Sequence, residues 1–223
     1  SNIIGVFMSG IIAQNTLDNS GLVKAPEGGG AWNFIKKLTA SSSATLSFVN
    51  GTSDVVLDST YKTYVFTFNN IHPQNDAIAW SFNGSTDTGS NYNVTKTTTM
   101  YSALHAENDS EAGVGYRGVD NEDLAQGTGF QDLTYTAGAG VSNDSDNGVV
   151  GELHLFSPSD TTFATHFKVR TQVMHDSGSG NIFSMDTYTA GYFNTTSAVD
   201  AIQFKFGSGN IDTGDICLYG IST

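Results

Sequence analysis

The stretch that decides the fold lies near the C-terminal end of the sequence. Residues 201–206 are Ala-Ile-Gln-Phe-Lys-Phe, and residues 216–221 are Ile-Cys-Leu-Tyr-Gly-Ile. In the first segment the apolar residues Ile202, Phe204 and Phe206 alternate with polar ones, which is the pattern of a β-strand with one buried face. The second segment is a short apolar strand, and the connection between the two is rich in glycine. Together they predict a terminal β-hairpin.

Further strand patterns follow one another from Leu38 onward, and Asn83-Gly84 is predicted to be a turn. Residues 110–126 have no strand pattern and are expected to form a surface excursion or a short helix. Counting the terminal pair, about eight to ten strands occur at sandwich-like spacing, so we predict an all-β fold, an antiparallel, jelly-roll-like β-sandwich. The candidate strands are residues 45–49, 61–68, 77–82, 97–105, 130–136, 149–156 and 163–173.

The same patterns predict which side chains are buried. Glu152 and His154 are expected to point outward if Leu153 and Leu155 point into the core. One face of the last internal strand is expected to carry Phe163, Thr165, Phe167, Val169, Thr171 and Val173, with a mostly polar face opposite. The core is expected to contain Trp80, Phe66, Phe68, Phe167, Ile202, Phe204 and Leu218.

Residues 1–37 form a separate zone without a regular strand pattern. Six apolar residues stand near its start, and each is worth roughly 1.5 to 3 kcal/mol when buried, so a free tail is unfavourable. We interpret residues 1–37 as an N-terminal arm or anchor and residues 38–223 as the sandwich domain. The alternative is that residues 1–37 form the first strands of the domain. The six apolar residues are Ile3, Ile4, Val6, Phe7, Ile11 and Ile12.

Charge and cysteine content exclude several classes of function. The net charge is −13 with nine Lys and Arg, so the field of the protein repels phosphate and direct nucleic-acid binding is not expected. The apolar start of the chain is too short to span a bilayer, so no membrane insertion is expected. Cys217 is the single cysteine, which excludes an intrachain disulfide, and we expect it to be a small core residue.

Acidic turns are the strongest candidates for metal binding. Residues 143–148, Asn-Asp-Ser-Asp-Asn-Gly, resemble the start of a calcium loop, but no Glu stands at the closing position and the flanking segments have strand patterns. A calcium site of another kind remains open, yet each cluster is more often a solvated turn. No metal ligand is therefore assigned. The other acidic clusters are Asp120, Glu122 and Asp123, and Glu107 with Asp109.

Catalytic patterns are weak in this sequence. The five histidines, His72, His105, His154, His166 and His175, show no metal-ligand spacing, and no nucleophile motif occurs. A hydrolase acting on polysaccharide would need two carboxylates about 5 to 10 Å apart, and the glutamates after the arm stand in no recognisable motif. We predict no enzyme activity, no catalytic residue and no cofactor. Those glutamates are Glu107, Glu111, Glu122 and Glu152.

Five tyrosines lie near loops rich in Gly, Asn and Asp, as in carbohydrate-binding platforms. Tyrosines are equally common in contacts between subunits, and the sequence favours that structural role. They are Tyr92, Tyr101, Tyr116, Tyr135 and Tyr188.

Four segments resemble a β-sandwich domain of tailed-phage virion proteins, of the marine and cyanobacterial type. They are GNIDTGDICLYGI (209–221), LDSTYKTYVFTFNNIHPQNDA (57–77), NYNVTKTTTMYSALHAEND (91–109) and GELHLFSPSDTTFATHFKVRT (151–171). The resemblance implies a non-enzymatic virion component with no assigned active site.

The expected place of the protein is therefore the virion. Its single-domain size and short anchor favour a capsid decoration or head-fibre role. The expected partners are other copies of the chain, most simply in a trimer, and other virion proteins. The alternative is a tail-fibre or spike module that binds a receptor or a host surface glycan.

Overall fold

The computed structural model describes residues 32–119, 121–135, 140–176 and 181–222, without the side chain of Asp176. The described residues form thirteen β-strands and no helix. The strands are β1 (Trp32–Thr39), β2 (Leu46–Val49), β3 (Thr63–Pro73), β4 (Trp80–Ser85), β5 (Lys96–Ala106), β6 (Ala112–Arg117), β7 (Gln131–Asp132), β8 (Gly140–Val141), β9 (Val149–Phe156), β10 (His166–Asp176), β11 (Ile182–Phe193), β12 (Ala201–Phe206) and β13 (Ile211–Ile221).

The strands form two antiparallel sheets that pack against each other. The large sheet has the order β1-β13-β3-β9-β10-β11-β5-β6, and the short strand β8 pairs with β10 beyond the start of β9. The small sheet has the order β2-β12-β4-β7. The chain passes from one sheet to the other several times, so strands distant in sequence are neighbours. This architecture confirms the predicted all-β, antiparallel β-sandwich.

Aromatic rings from both sheets fill the core, and Phe204 of β12 lies at its centre. The Phe204 ring stacks on Trp80 with centroids 5.8 Å apart and meets Phe66 and Phe68 edge-on at 5.4 and 5.2 Å. The offset and edge-to-face geometries are those that aromatic quadrupoles favour. All seven residues predicted for the core are buried.

The terminal hairpin prediction is wrong, because β12 and β13 lie in different sheets. β12 pairs with β2 and β4, whereas β13 lies between β1 and β3. The two strands direct apolar side chains into one core from opposite sides, and this gives the same alternation in sequence as a paired hairpin. β13 also begins earlier than predicted, with a bulge where Gly214 has a φ of 118°.

Several local predictions also need correction. Asn83-Gly84 lies inside β4 and is not a turn, and residues predicted as an unpatterned excursion contain β6. Phe163 lies before β10 and is 71% exposed, although the rest of its predicted face is buried. Glu152 and His154 point away from the core between buried Leu153 and Leu155, as expected.

The predicted boundary between the N-terminal arm and the sandwich domain, after residue 37, falls inside a strand of the large sheet. Residues 1–31 of the predicted arm lie outside the described residues, and residues 32–39 form β1. β1 pairs with β13 from Trp32↔Ile221 to Thr39↔Asp215. Its strand pattern is hard to recognise in sequence because Trp32 and Phe34 are on the exposed face.

The irregular segment 121–135 covers part of the inner face of the large sheet. Thr98 of β5 donates from Oγ1 to Gln131 Oε1 at 2.6 Å and accepts from the Leu124 backbone N–H at 2.7 Å. Thr171 of β10 donates from Oγ1 to the Leu133 carbonyl. Hydroxyl-bearing strand residues therefore bond the backbone of this segment, and their outward neighbours remain on the opposite face of the sheet.

Candidate binding surface

The outer face of β10, β11 and β5 carries a stacked row of side chains. Strand register places Arg170 opposite Tyr188, and Tyr188 opposite Tyr101. The two tyrosine rings are nearly parallel, at an interplanar angle of 6° and a centroid distance of 4.9 Å. The Arg170 guanidinium carbon lies 5.0 Å from the centre of the Tyr188 ring. We call Arg170, Tyr188 and Tyr101 the stacked ridge.

An ion pair fixes one end of the stacked ridge. Arg170 donates from Nη2 to Asp186 Oδ2 at 2.7 Å and from Nε to Asp186 Oδ1 at 3.0 Å. This two-point geometry orients the guanidinium plane as well as holding the charge. Hydrogen bonding from Asp186 raises the pKa of Arg170, and desolvation together with the Asp186 charge raises the pKa of Tyr188. Tyr188 therefore keeps its hydroxyl proton at neutral pH.

A second row lies along the same face, nearer the end of the strands. His166 of β10 is opposite Phe156 of β9 on one side and Tyr192 of β11 on the other. The His166 and Tyr192 rings are 5.7 Å apart and tilted by 42°. We call Phe156, His166 and Tyr192 the end ridge. Tyr188 and Tyr192 are four residues apart on one strand, so the ridges are separated by roughly 13 Å.

Between the two ridges the surface is low over β11 and β5, because Ala190 and Thr99 have short side chains. Lys168, Ala190 and Thr99 form a row across β10, β11 and β5. Two depressions, of about 510 and 260 Å³, adjoin the end ridge and the stacked ridge and share this row of three residues; we call the space between the ridges the trough. The larger volume is within the roughly 300–1,000 Å³ typical of ligand pockets.

Lys168 is the charged group of the trough floor. It lies opposite His154 of β9, and His154 Nε2 is 3.1 Å from Glu152 Oε1. Among the described residues no ion pair involves Lys168, whose side chain is exposed. The ammonium group is therefore available to an anionic ligand, in a protein whose net charge is −13.

A separate aromatic patch lies at the β1 edge of the large sheet. Trp32 is 48% exposed and Phe34 is 60% exposed. Both rings meet the Tyr219 ring of β13 in edge-on contacts, with centroids 5.3 and 5.8 Å apart. We call Trp32, Phe34 and Tyr219 the β1 aromatic patch.

The predicted tyrosines are on a sheet face more than on loops. Tyr101 and Tyr188 belong to the stacked ridge, and Tyr116 of β6 is paired with Tyr101. Tyr116 donates from its hydroxyl to Asp123 Oδ2 at 2.9 Å. Tyr135 lies apart from these, under the Arg117 guanidinium at 3.9 Å. Tyr92 contributes its backbone carbonyl to a buried cluster and does not join the ridge.

The acidic turns do not converge on a common point within the described part of the chain. No group of three His, Cys, Asp or Glu side chains there lies close enough to hold a metal ion. In the turn at residues 143–148, Asp144 accepts from the Ser142 hydroxyl at 2.8 Å and Asn147 donates to the Met174 carbonyl at 2.5 Å. Asp109 is 3.2 Å from His105, and Asp120 lies outside the described residues.

The remaining predicted residues are dispersed over the sandwich. Glu122 is buried and accepts from the Val119 backbone N–H at 3.2 Å. Glu107 and Glu111 are exposed near the β5–β6 connection. His72 meets the Asp144 carbonyl at 3.1 Å, and His175 is buried near Tyr135. Cys217 lies on the outer face of β13, half-buried, so it is not the core residue expected.

A buried lysine forms a polar cluster where β4 meets β5. Lys96 donates from Nζ to Asn83 Oδ1 at 2.8 Å and to the Gly129 carbonyl at 2.6 Å. Asn83 Nδ2 in turn donates to the carbonyls of Tyr92, Thr128 and Gly129. Burial lowers the pKa of Lys96 to about 7. The cluster explains why Asn83 is inside a strand: its amide ties two connections to the sandwich.

Sequence reasoning missed most of the trough. It placed His166, Lys168 and Arg170 on a polar strand face, but β11, which supplies Asp186, Tyr188, Ala190 and Tyr192, was not recognised as a strand. The signal in β11 is its regular alternation, in which threonines point inward and tyrosines outward.

Comparisons with protein-family models, with curated proteins and with solved structures found no significant match. In the part of the chain that the structure describes, no helix is long and apolar enough to cross a membrane.

Proposed function

We propose that this chain is a non-enzymatic structural protein of a tailed-phage virion, displayed on the particle as a capsid decoration or head fibre. Four sequence segments that resemble such domains support the proposal, and the sandwich fold agrees with them. The observation that carries self-assembly is the β1 aromatic patch, which exposes two large rings at the edge of the large sheet.

The β1 edge has the features of a contact between subunits. Exposed large aromatic residues rimmed by polar ones mark interaction sites, and Trp and Phe are enriched in the centres of such interfaces. β1 pairs with β13 on one side, and no other described strand pairs with it. Backbone groups along its other side are therefore in position to extend a sheet across two copies.

The N-terminal residues precede β1 in the sequence. They include the six apolar residues between Ile3 and Ile12, and burial of these against a neighbour would remove them from water. We propose that residues 1–31 and β1 together form the contact in a homo-oligomer, most simply a trimer, and with other virion proteins.

The test is the mass of the full chain in solution, measured by light scattering after size exclusion. Replacing Trp32 and Phe34 together by Ser should convert the oligomer to monomer, because both rings lie in the proposed contact. Phe163→Ser is the matched control, since Phe163 is also exposed but lies in a connection away from β1. An unchanged mass in the double variant would contradict assembly through this edge.

Two further experiments address the arm and the location. Deleting residues 1–30 should leave a folded sandwich that no longer assembles or docks; an insoluble product with an opened core would show that these residues belong to the domain.

Fractionation and imaging of purified particles should find the protein in intact virions, and its absence would refute the virion role.

A tail-fibre or spike module that binds a host glycan is the second candidate function. The specific observation in its favour is the trough between two aromatic ridges, because carbohydrate sites combine ring faces with hydroxyl and charged groups.

A further inference from the structure

We propose that the trough between the stacked ridge and the end ridge binds a carboxylated oligosaccharide. The site is distinct from the β1 aromatic patch: the trough floor on β10, β11 and β5 begins three strands from β13 and four from β1 in the sheet order, so the assembly proposal and this one can fail independently.

The shape of the trough comes from one small residue between two tyrosines. Along β11 the outward side chains are Tyr188, Ala190 and Tyr192, so a gap opens above Ala190 between two tyrosines roughly 13 Å apart along the strand. Thr99 on β5 continues the low floor beside Ala190. The trough therefore runs across the strands, and its walls are aromatic on both sides.

The walls are held in place before any ligand arrives. Tyr188 is fixed between the Arg170 guanidinium and the Tyr101 ring, and Arg170 is itself held by Asp186 through two hydrogen bonds. On the opposite side Tyr192 packs against His166 in a single tilted ring contact. Preorganised aromatic walls lose little conformational entropy on binding, and this favours affinity for a small, weakly apolar ligand.

The chemistry of the trough favours a sugar over an extended peptide. An added peptide strand needs a free sheet edge, whereas β10 and β11 are both paired on two sides. Recognition must therefore come from side chains. The edges of the stacked Tyr188 and Tyr101 rings and the Tyr192 ring offer apolar contacts to a pyranose, and tyrosine and threonine hydroxyls bind its hydroxyl groups.

Charge selects an acidic sugar within that class. Lys168 projects from the floor without an ion-pair partner among the described residues, and His166 borders it. In a chain of net charge −13, the unpaired ammonium group of Lys168 beside a depression provides a local positive charge that attracts a single carboxylate. The overall negative field opposes long polyanions such as nucleic acid.

Isothermal titration calorimetry on the full chain tests the proposal with three probes that carry one carboxylate each: 3′-sialyllactose, 6′-sialyllactose and 4-O-methylglucuronosyl-xylotriose. At least one should bind with a one-to-one stoichiometry and at least tenfold tighter than neutral maltohexaose. Affinity should fall as salt is raised, because Lys168 and the ligand carboxylate are exposed. If none of the three binds, or if maltohexaose or hexaglutamate binds equally well, the proposal is overturned.

Two variants locate the site. Ala190→Leu fills the floor and should weaken binding at least tenfold, and Lys168→Gln should do so while removing most of the salt dependence. Lys37→Gln is the matched control, since Lys37 is an exposed lysine on the same face at the distant β1 edge, and it should bind like the unaltered protein. Thermal melting checks that each variant is folded; folded variants with unchanged affinity would place the ligand elsewhere and refute the assignment.

Discussion

The two faces of strand β10 differ in what holds their side chains. On the inner face Phe167, Val169 and Val173 are buried in the core. On the outer face His166, Lys168 and Arg170 are exposed, and His166 and Arg170 contact side chains of β11. The inner face is specified by hydrophobicity along one strand, whereas the outer face is specified by the register between strands. Stability should therefore depend on the first and recognition on the second.

The largest expected loss of stability follows from a substitution in the core of the sandwich. Phe204→Ala removes the ring that contacts Trp80, Phe66 and Phe68, so it should lower the free energy of unfolding by about 3–5 kcal/mol. Phe163→Ala is the matched control at an exposed phenylalanine and should leave the denaturation midpoint nearly unchanged. Guanidinium denaturation measures both, and equal losses would contradict the division between the faces.

The buried Lys96 should make stability depend on pH. Its pKa is lowered by burial to about 7 in the folded chain and is near the usual lysine value of 10.5 when the chain is unfolded. Between these values the unfolded chain binds more protons, so the free energy of unfolding should rise with pH, by at most about 1.4 kcal/mol per pH unit. Denaturation from pH 7 to 9.5 should show this rise in the unaltered chain and a flatter profile in Lys96→Met; parallel profiles would refute it.

The smallest expected loss of stability is tested by comparing two neighbouring residues on opposite faces of β10. Thr171→Val removes the hydroxyl that donates to the buried Leu133 carbonyl, so it should lower the free energy of unfolding by about 1–3 kcal/mol. Arg170→Gln breaks an exposed ion pair, which contributes little to stability in water, so its midpoint should barely move. A larger loss for Arg170→Gln than for Thr171→Val would reverse the proposed roles of the faces.

Sequence patterns predict strands well where inward residues are large and apolar. β9 was predicted with its observed bounds because Leu153 and Leu155 alternate with Glu152 and His154. β11 was not predicted as a strand because Thr187 and Thr189 point inward while Tyr188 points outward. The more polar residues are therefore the buried ones, which is the reverse of the usual pattern.

The trough is harder to predict than any single strand. Its floor joins Thr99, Lys168 and Ala190, which are far apart in sequence and meet only through the pairing of β5, β10 and β11. Each is unremarkable in its own segment: a threonine among threonines, a lysine on a polar face, an alanine between two aromatic neighbours. The depression depends on a small side chain standing beside large ones across strands, and one-dimensional periodicity does not contain that relation.

The position of β13 has a consequence for how the protein folds. β13 lies between β1 and β3, so two strands from the beginning of the described chain join one sheet only through a strand made about 140 residues after β3. During synthesis, one side of the large sheet stays incomplete until residue 221 has left the ribosome, with the edge of β3 open meanwhile. Such long-range closure slows folding and exposes the nascent chain to aggregation through that edge.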